Sequence, residues 1–224
     1  MLTILNLYAG IGGNRYKWGG DIAVTAVEKN KQIADIYKEL NPKDELIIDD
    51  AHNFLLENAN KFDFIWSSPP CQTHTRMIQS GRNRKPIYPV MDLYQEIIFL
   101  NHSYDGKWVV ENVKPYYKPL IAPTQTIGRH LFWSNFWFHV EEIKQPKNFI
   151  VDGTIEGKKR LMEWLGIPYI TRNVYYDGNN DPAQIYRNAV HPDLSLGIFN
   201  FLEEPTTSTQ LQFEIERGGN AASA

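Results

Sequence analysis

Apolar residues in this chain fall into short dense runs, separated by polar, glycine-rich or proline-rich breaks. Residues 2–7 (Leu-Thr-Ile-Leu-Asn-Leu) form the first run, which ends in Ala9-Gly10-Ile11-Gly12-Gly13. Residues 22–27 form a second, ending at Glu28. Ile33, Tyr37 and Leu40 then recur at helical spacing until Pro42 stops the pattern. Leu46-Ile47-Ile48 reads as a third strand before Asp49-Asp50, and residues 62–66 as a fourth. Residues 91–100 read as a helix and Trp108-Val109-Val110 as a fifth strand. This alternation predicts an α/β fold with a mainly parallel sheet and flanking helices. The second half is less regular, with an aromatic strand over 131–138, a helix over 158–165 and a last helix over 192–202. From Pro205 the chain is rich in Thr, Ser, Gln and Gly, which predicts one domain over 1–204 and a flexible polar tail over 205–224.

Composition narrows the class. The chain has 224 residues, 42% hydrophobic and 22% charged, which suits one globular domain with a sizeable core. One cysteine excludes a disulfide framework and a cysteine-rich zinc site, and it fits a reducing, cytoplasmic setting; no metal is expected. No apolar run nears the roughly 20 residues that span a bilayer, and the start shows no basic leader, so neither a membrane partner nor a signal peptide is expected. The net charge of −3 gives no general attraction to polyanions, so contact with nucleic acid requires a local basic patch.

Candidate chemistry gathers at the predicted strand ends. Gly10, Glu28, Asp50, Cys71 and Glu111 each follow a predicted strand, and open parallel sheets bind ligands beyond those ends. Cys71, in Ser67-Ser68-Pro69-Pro70-Cys71-Gln72, is flanked by groups that suit presentation of a nucleophile better than an apolar pocket. The glycines allow close backbone approach to a ligand and free amides at a helix start, although a plain turn explains them equally well. Glu28 could accept both hydroxyls of a ribose or be a solvated strand-end charge. Asp50 could face an adenine amino group or cap the helix that follows. Glu111 needs a partner, because carboxylates rarely end an apolar run alone, and Lys114 is the structural candidate. Residues 74–86 carry Arg76, Arg82, Arg84 and Lys85 with no acid, which suits a loop closing over phosphates or a solvated surface loop.

Together these segments resemble the DNA (cytosine-5)-methyltransferases. Tyr8-Ala9-Gly10-Ile11-Gly12-Gly13 is similar to the family's opening glycine loop, Pro70-Cys71-Gln72 to its nucleophile loop, and Glu111-Asn112-Val113 to its Glu-Asn-Val segment. Asn188-Ala189-Val190, followed by Pro192 and Leu194, resembles its late Gly-Asn-Ala-Val segment. The resemblance implies a Rossmann-like fold that binds S-adenosyl-L-methionine through residues 8–13, Glu28, Lys29, Asp50, Ala51, Pro70 and Asn188. It implies catalysis by Cys71, Glu111 and Arg129, and a flipped-out cytosine in DNA as substrate, in the setting of DNA methylation and restriction-modification.

Three departures from the family pattern change expectations. Only residues 139–157 stand where the family inserts a target-recognition domain, so sequence readout is expected to be weak, made by the catalytic loop, or lent by a separate specificity partner. The Gln-x-Arg-x-Arg segment survives only as Gln125-Thr126-Ile127-Gly128-Arg129-His130, with Arg129 assigned as the arginine and His130 one register step away. Arg187 replaces a glycine, either as a swung-out surface group or as a cation favouring a carboxylated cofactor analogue. Two rivals stand beside the methyltransferase reading. Ser68-Pro69-Pro70 also resembles the loop of amino-methyltransferases, but Cys71 occupies the place of their aromatic platform. An inactive nucleic-acid-binding relic of the fold is the other.

Overall fold

Strands form where apolar runs can be covered on both faces. The computed structural model describes residues 1–79, 87–175 and 180–202. Arg82, Arg84, Lys85 and the expected tail lie outside them. Among the described residues, β1 (Leu2–Leu7), β2 (Ile22–Val27), β3 (Glu45–Ile47), β4 (Phe64–Ser67), β5 (Lys107–Val113), β6 (Gln125–Ile127) and β7 (His130–Ser134) make one sheet in the order β3-β2-β1-β4-β5-β7-β6. The neighbouring pairs from β3 to β5 are parallel, whereas β7 runs antiparallel to both β5 and β6. The helices are α1 (Lys31–Leu40), α2 (Ala51–Asn58), α3 (Asp92–Ser103), α4 (Ile155–Leu165), the single turn α5 (Gln184–Arg187) and α6 (Pro192–Asn200).

Alternation along the strands sorts the core into layers. Leu5, Leu7, Ile65 and Val110 face α2 and α3, packing on Leu55, Leu93, Ile97 and Leu100. Ile4, Phe64, Trp66 and Val109 face the other way, onto Trp18, Leu194, Ile198 and Phe199. A third cluster joins Ile33 and Ile36 of α1 to Leu161, Met162 and Leu165 of α4 and to Tyr186. The chain leaves β1 for β2 and β3 on one side and returns through β4 and β5 on the other. The order therefore reverses between β1 and β4, and the crevice at their carboxyl ends is the expected ligand position in a doubly wound sheet.

The structure corrects several sequence expectations. No helix follows the glycine loop; Gly12, Arg15 and Trp18 instead donate backbone hydrogen bonds to the carbonyl three residues back, making successive turns. Strand β5 does not stop at Val110, because Glu111 and Asn112 pair with Phe132 and Leu131 of β7, which satisfies their backbone groups. The aromatic strand ends at Ser134 and not at Phe138. There Asn135 accepts from Trp108 N and donates to the Gly106 carbonyl, turning the chain away. Phe136 and Phe138 are buried from a loop. Residues 135–154 contain no helix or strand.

Candidate active site

The glycine turn is shaped for contact. Gly12 has φ +80°, and a Cβ there would lie 2.5 Å from Asn41 Nδ2. A Cβ on Gly13 would lie 2.6 Å from the Val190 carbonyl, so only glycine lets the Asn188-Ala189-Val190 segment close onto this turn. Two segments far apart in sequence thereby form one wall. Glu28, just past β2, holds the turn from the other side, accepting from Gly10 N at 3.0 Å and from Asn30 N at 2.8 Å. Its burial raises the carboxyl pKa against those hydrogen bonds.

Asp50 is the N-cap of α2, accepting from Asn53 N at 3.2 Å, and it pairs with Lys29 at 3.1 Å. Those donors lower its pKa. The helix-capping role is thus what the geometry displays, at the rim of the same cavity.

Beyond β4, Pro69 and Pro70 lead to Cys71. The turn is tied to β5 by Asn112, whose side-chain amide donates to the Pro69 carbonyl at 2.9 Å. Burial and the nearby Glu111 carboxylate push the Cys71 thiol up to about 11, and Arg129 works in the opposite direction. Glu111 projects from β5 on the face it shares with Val109. Its partner is His130 and not Lys114: His130 Nδ1 lies 2.6 Å from Glu111 Oε1. Register explains the contact, since Glu111 pairs with Phe132 and Val113 with His130, which makes Glu111 and His130 diagonal neighbours on one face. Arg129 Nε donates to His130 Nε2 at 3.2 Å, so the proton of a neutral imidazole sits on Nδ1 and points at Glu111. Arg129 also stacks over Phe149 at 4.6 Å and donates to the Arg187 carbonyl at 3.0 Å. Both Arg129 and His130 line the cavity, and His130 is the one that touches Glu111.

Arg187 is neither swung out nor aimed at a ligand as a free cation. It is 6% exposed, and its guanidinium donates to Asp181 at 2.8 Å, to Gln184 at 2.7 Å and to the carbonyls of Phe149 and Asp152. Asn188 accepts from Gln184 at 2.7 Å. Arg76 is exposed and reaches the Pro115 carbonyl, outside the cavity.

One cavity of about 360 Å³ collects the rest. Tyr8, Gly10, Glu28, Lys29, Asp50, Ala51, Pro70 and Asn188 line it together with Cys71, Glu111, Arg129 and His130. That volume is in the range of small-molecule sites. No helix among the described residues is long and apolar enough to cross a membrane.

The sheet order with its reversed β7 and the crevice at the β1/β4 switch define a Rossmann-like methyltransferase fold. Residues 2–119 match the family model for C-5 cytosine-specific DNA methylase, more than half of the chain, and the chain belongs to that family. It is 31% identical over 86 residues to the Homo sapiens tRNA (cytosine(38)-C(5))-methyltransferase, covering 36% of this chain and 22% of that protein, so it spans about a fifth of the relative's length. Among solved structures, Spodoptera frugiperda DNMT2 matches at 28% identity, 51% of this chain, 36% of that chain and TM-score 0.35. A SAM-dependent methyltransferase from Agrobacterium tumefaciens matches at 18% identity, 52% and 40% coverage and TM-score 0.36.

Proposed function

We propose that the chain methylates carbon 5 of cytosine in DNA, using S-adenosyl-L-methionine and a covalent adduct to Cys71. One observation carries the reading: a single cavity joins the glycine turn and Glu28 to Cys71, Glu111 and Arg129. The cofactor end fits a nucleoside, since each Glu28 oxygen accepts one backbone N–H and keeps a lone pair for a ribose hydroxyl. Tyr8 to Gly13, Lys29, Asp50, Ala51, Pro70 and Asn188 complete that end. Bound S-adenosyl-L-methionine supplies the electrophilic methyl group.

The other end activates the base. Carbon 5 of cytosine is too weak a nucleophile unaided. Cys71 Sγ adds to carbon 6 while Glu111 serves N3, which turns the ring into an enamine nucleophilic at carbon 5. His130 fixes Glu111 Oε1 and leaves Oε2 for the base. After methylation, loss of the carbon 5 proton restores the double bond and expels Cys71. The raised thiol pKa means that the proton leaves as sulfur attacks, passing through Glu111 to N3, and the Arg129 charge favours that step. When Cys71 is expelled, the N3 proton returns by the same route and the carbon 5 proton goes to solvent. A duplex base must first be flipped out, at a cost of a few kcal/mol.

Two observations weigh against the alternative readings. The Arg187 guanidinium is committed to internal acceptors, which removes the reason for a carboxylated cofactor. The shared placement of Cys71 and Glu111 speaks against an inactive relic. RNA is the second substrate reading, favoured by the relative named as a tRNA methyltransferase. The test is trapping with 5-fluorocytosine placed in DNA and in RNA of the same sequence. An adduct stable to denaturation on DNA, absent in Cys71→Ser, is the expected result. An adduct on RNA alone would move the substrate, and none on either, or turnover by Cys71→Ser above a tenth of wild type, would defeat the covalent mechanism.

A further inference from the structure

Glu96, in the middle of α3, is 1% exposed and takes no part in the chemistry described above. A buried carboxylate persists only where donors replace its hydration. Here the donors come from three separate elements. Tyr8 Oη donates to Glu96 Oε1 at 2.5 Å, and His52 Nδ1 lies 3.0 Å from the same oxygen. Ser67 Oγ donates to Oε2 at 2.6 Å. Tyr8 lines the cavity, and His52 and Ser67 each adjoin a lining residue, Ala51 and Ser68. Tyr8 opens the glycine turn, His52 follows Ala51 in α2, and Ser67 ends β4 on the way to Cys71. Tyr8 also adopts φ +53°, a left-handed conformation rare outside glycine that lasts only where its surroundings fix it. Its hydroxyl is held by Glu96.

We propose that Glu96 is a positioning residue that holds the glycine turn and the Cys71 turn in one register, through Tyr8 on one oxygen and Ser67 on the other. This rests on the reading of the cavity as a site for S-adenosyl-L-methionine and cytosine. A carboxamide of the same size keeps one acceptor but replaces the other with a donor and removes the charge, so the two turns can no longer both be held as they are. The imidazole of His52, whose pKa Glu96 raises, reports whether the carboxylate is in place.

The experiment compares wild type, Glu96→Gln, Tyr8→Phe, Ser67→Ala and the double variant Tyr8→Phe/Glu96→Gln. The readouts are S-adenosyl-L-methionine affinity by calorimetry, kcat, the rate of Cys71 alkylation by iodoacetamide, the His52 pKa by NMR, and the melting temperature. Glu96→Gln is expected to weaken cofactor affinity about tenfold, the scale of one hydrogen bond to a charged group, and to lower kcat while it still melts cooperatively. It should also change the Cys71 alkylation rate and drop the His52 pKa. Tyr8→Phe should itself shift Cys71 alkylation, and should add little in the Glu96→Gln background, because both changes break one chain of contacts. If Glu96→Gln does not fold, Tyr8→Phe and Ser67→Ala carry the same test from either side.

A lower melting temperature with unchanged affinity, kcat and alkylation would make Glu96 an ordinary structural group. Additive effects of the two substitutions would overturn the coupling as well. If the wild-type protein binds no S-adenosyl-L-methionine, the functional reading fails, and the alkylation cycle still decides the role of Glu96.

Discussion

The chain's single cysteine allows its electrostatic surroundings to be measured without any assumption about substrate. Burial is the largest influence on the Cys71 thiol, the Glu111 carboxylate is second, and Arg129 opposes both; the balance lifts the thiol from 9.0 to about 11. Glu111→Gln removes one charge and keeps an oxygen to accept from His130. Assigning that charge about one pKa unit, or about 1.4 kcal/mol, raises the thiolate fraction at pH 8 about tenfold. A less basic thiolate is also less nucleophilic, by about threefold per unit, so alkylation should run about threefold faster. Arg129→Gln removes the opposing charge and should slow alkylation by a comparable factor. Iodoacetamide labelling followed by intact mass reads both, and the pH profile of the rate gives each thiol pKa directly. The two signs are the test. Glu111→Gln with a slower or unchanged rate, or Arg129→Gln with a faster one, would refute the account of which groups face the sulfur.

Other outcomes follow from the same geometry. Glu28→Ala should weaken S-adenosyl-L-methionine binding by about 1.5–3 kcal/mol, the range for hydrogen bonds to a charged group, and calorimetry showing unchanged affinity would return Glu28 to a strand-end charge. Arg187→Gly should leave the preference between the cofactor and its carboxylated analogue unchanged in competition binding. It should cost about 2 kcal/mol in a urea melt, less than a fully buried pair because Asp181 is partly exposed. Burial lowers the pKa of His74 and His191 below the ordinary 6.5, so the unfolded chain binds more protons there, and stability should fall as pH drops from 6.5. His52, raised by Glu96, contributes the opposite sign; a His74→Gln variant whose urea midpoint falls as much as wild type between pH 8 and pH 5.5 would contradict the assignment. Bisulfite sequencing of a methylated plasmid should show a short or relaxed cytosine context, since residues 135–154 offer no helix or strand to place against groove edges, and one defined site of four or more bases would reveal a missed recognition element.

The parallel half of the fold was readable because strands buried on both faces write themselves as continuous apolar runs. Residues of β1, β2, β4 and most of β5 do so. Strand β6 was missed for the converse reason. It is three residues long, begins with Gln125 and Thr126, and exists because β7 offers it a partner. Phe136 and Phe138 misled in the other direction, as their burial comes from an aromatic cluster packed under a loop, and composition alone does not separate that from a strand. The single turn α5 is too short for any periodic signal and is held by the Arg187 side chain.

Site residues divide along the same line. Cys71, Glu28 and the glycine turn stand at the ends of locally legible strands, so sequence order alone placed them together. His130 could not be separated from Arg129 by motif, because the choice depends on cross-strand register: Glu111 pairs with Phe132, and only that offset carries His130 to the carboxylate. Glu96 did leave a signal. Leu93, Ile97 and Leu100 mark the buried stripe of α3, and Glu96 lies on it, three residues after Leu93 and four before Leu100. A charge at such a position is costly without partners, so the pattern itself demanded donors from elsewhere in the fold. Tyr8, His52 and Ser67 answer that demand, and they are spread over nearly 60 residues of chain with no spacing that links them. Local pattern can show that a partner is required, but identifying the partner takes the tertiary structure.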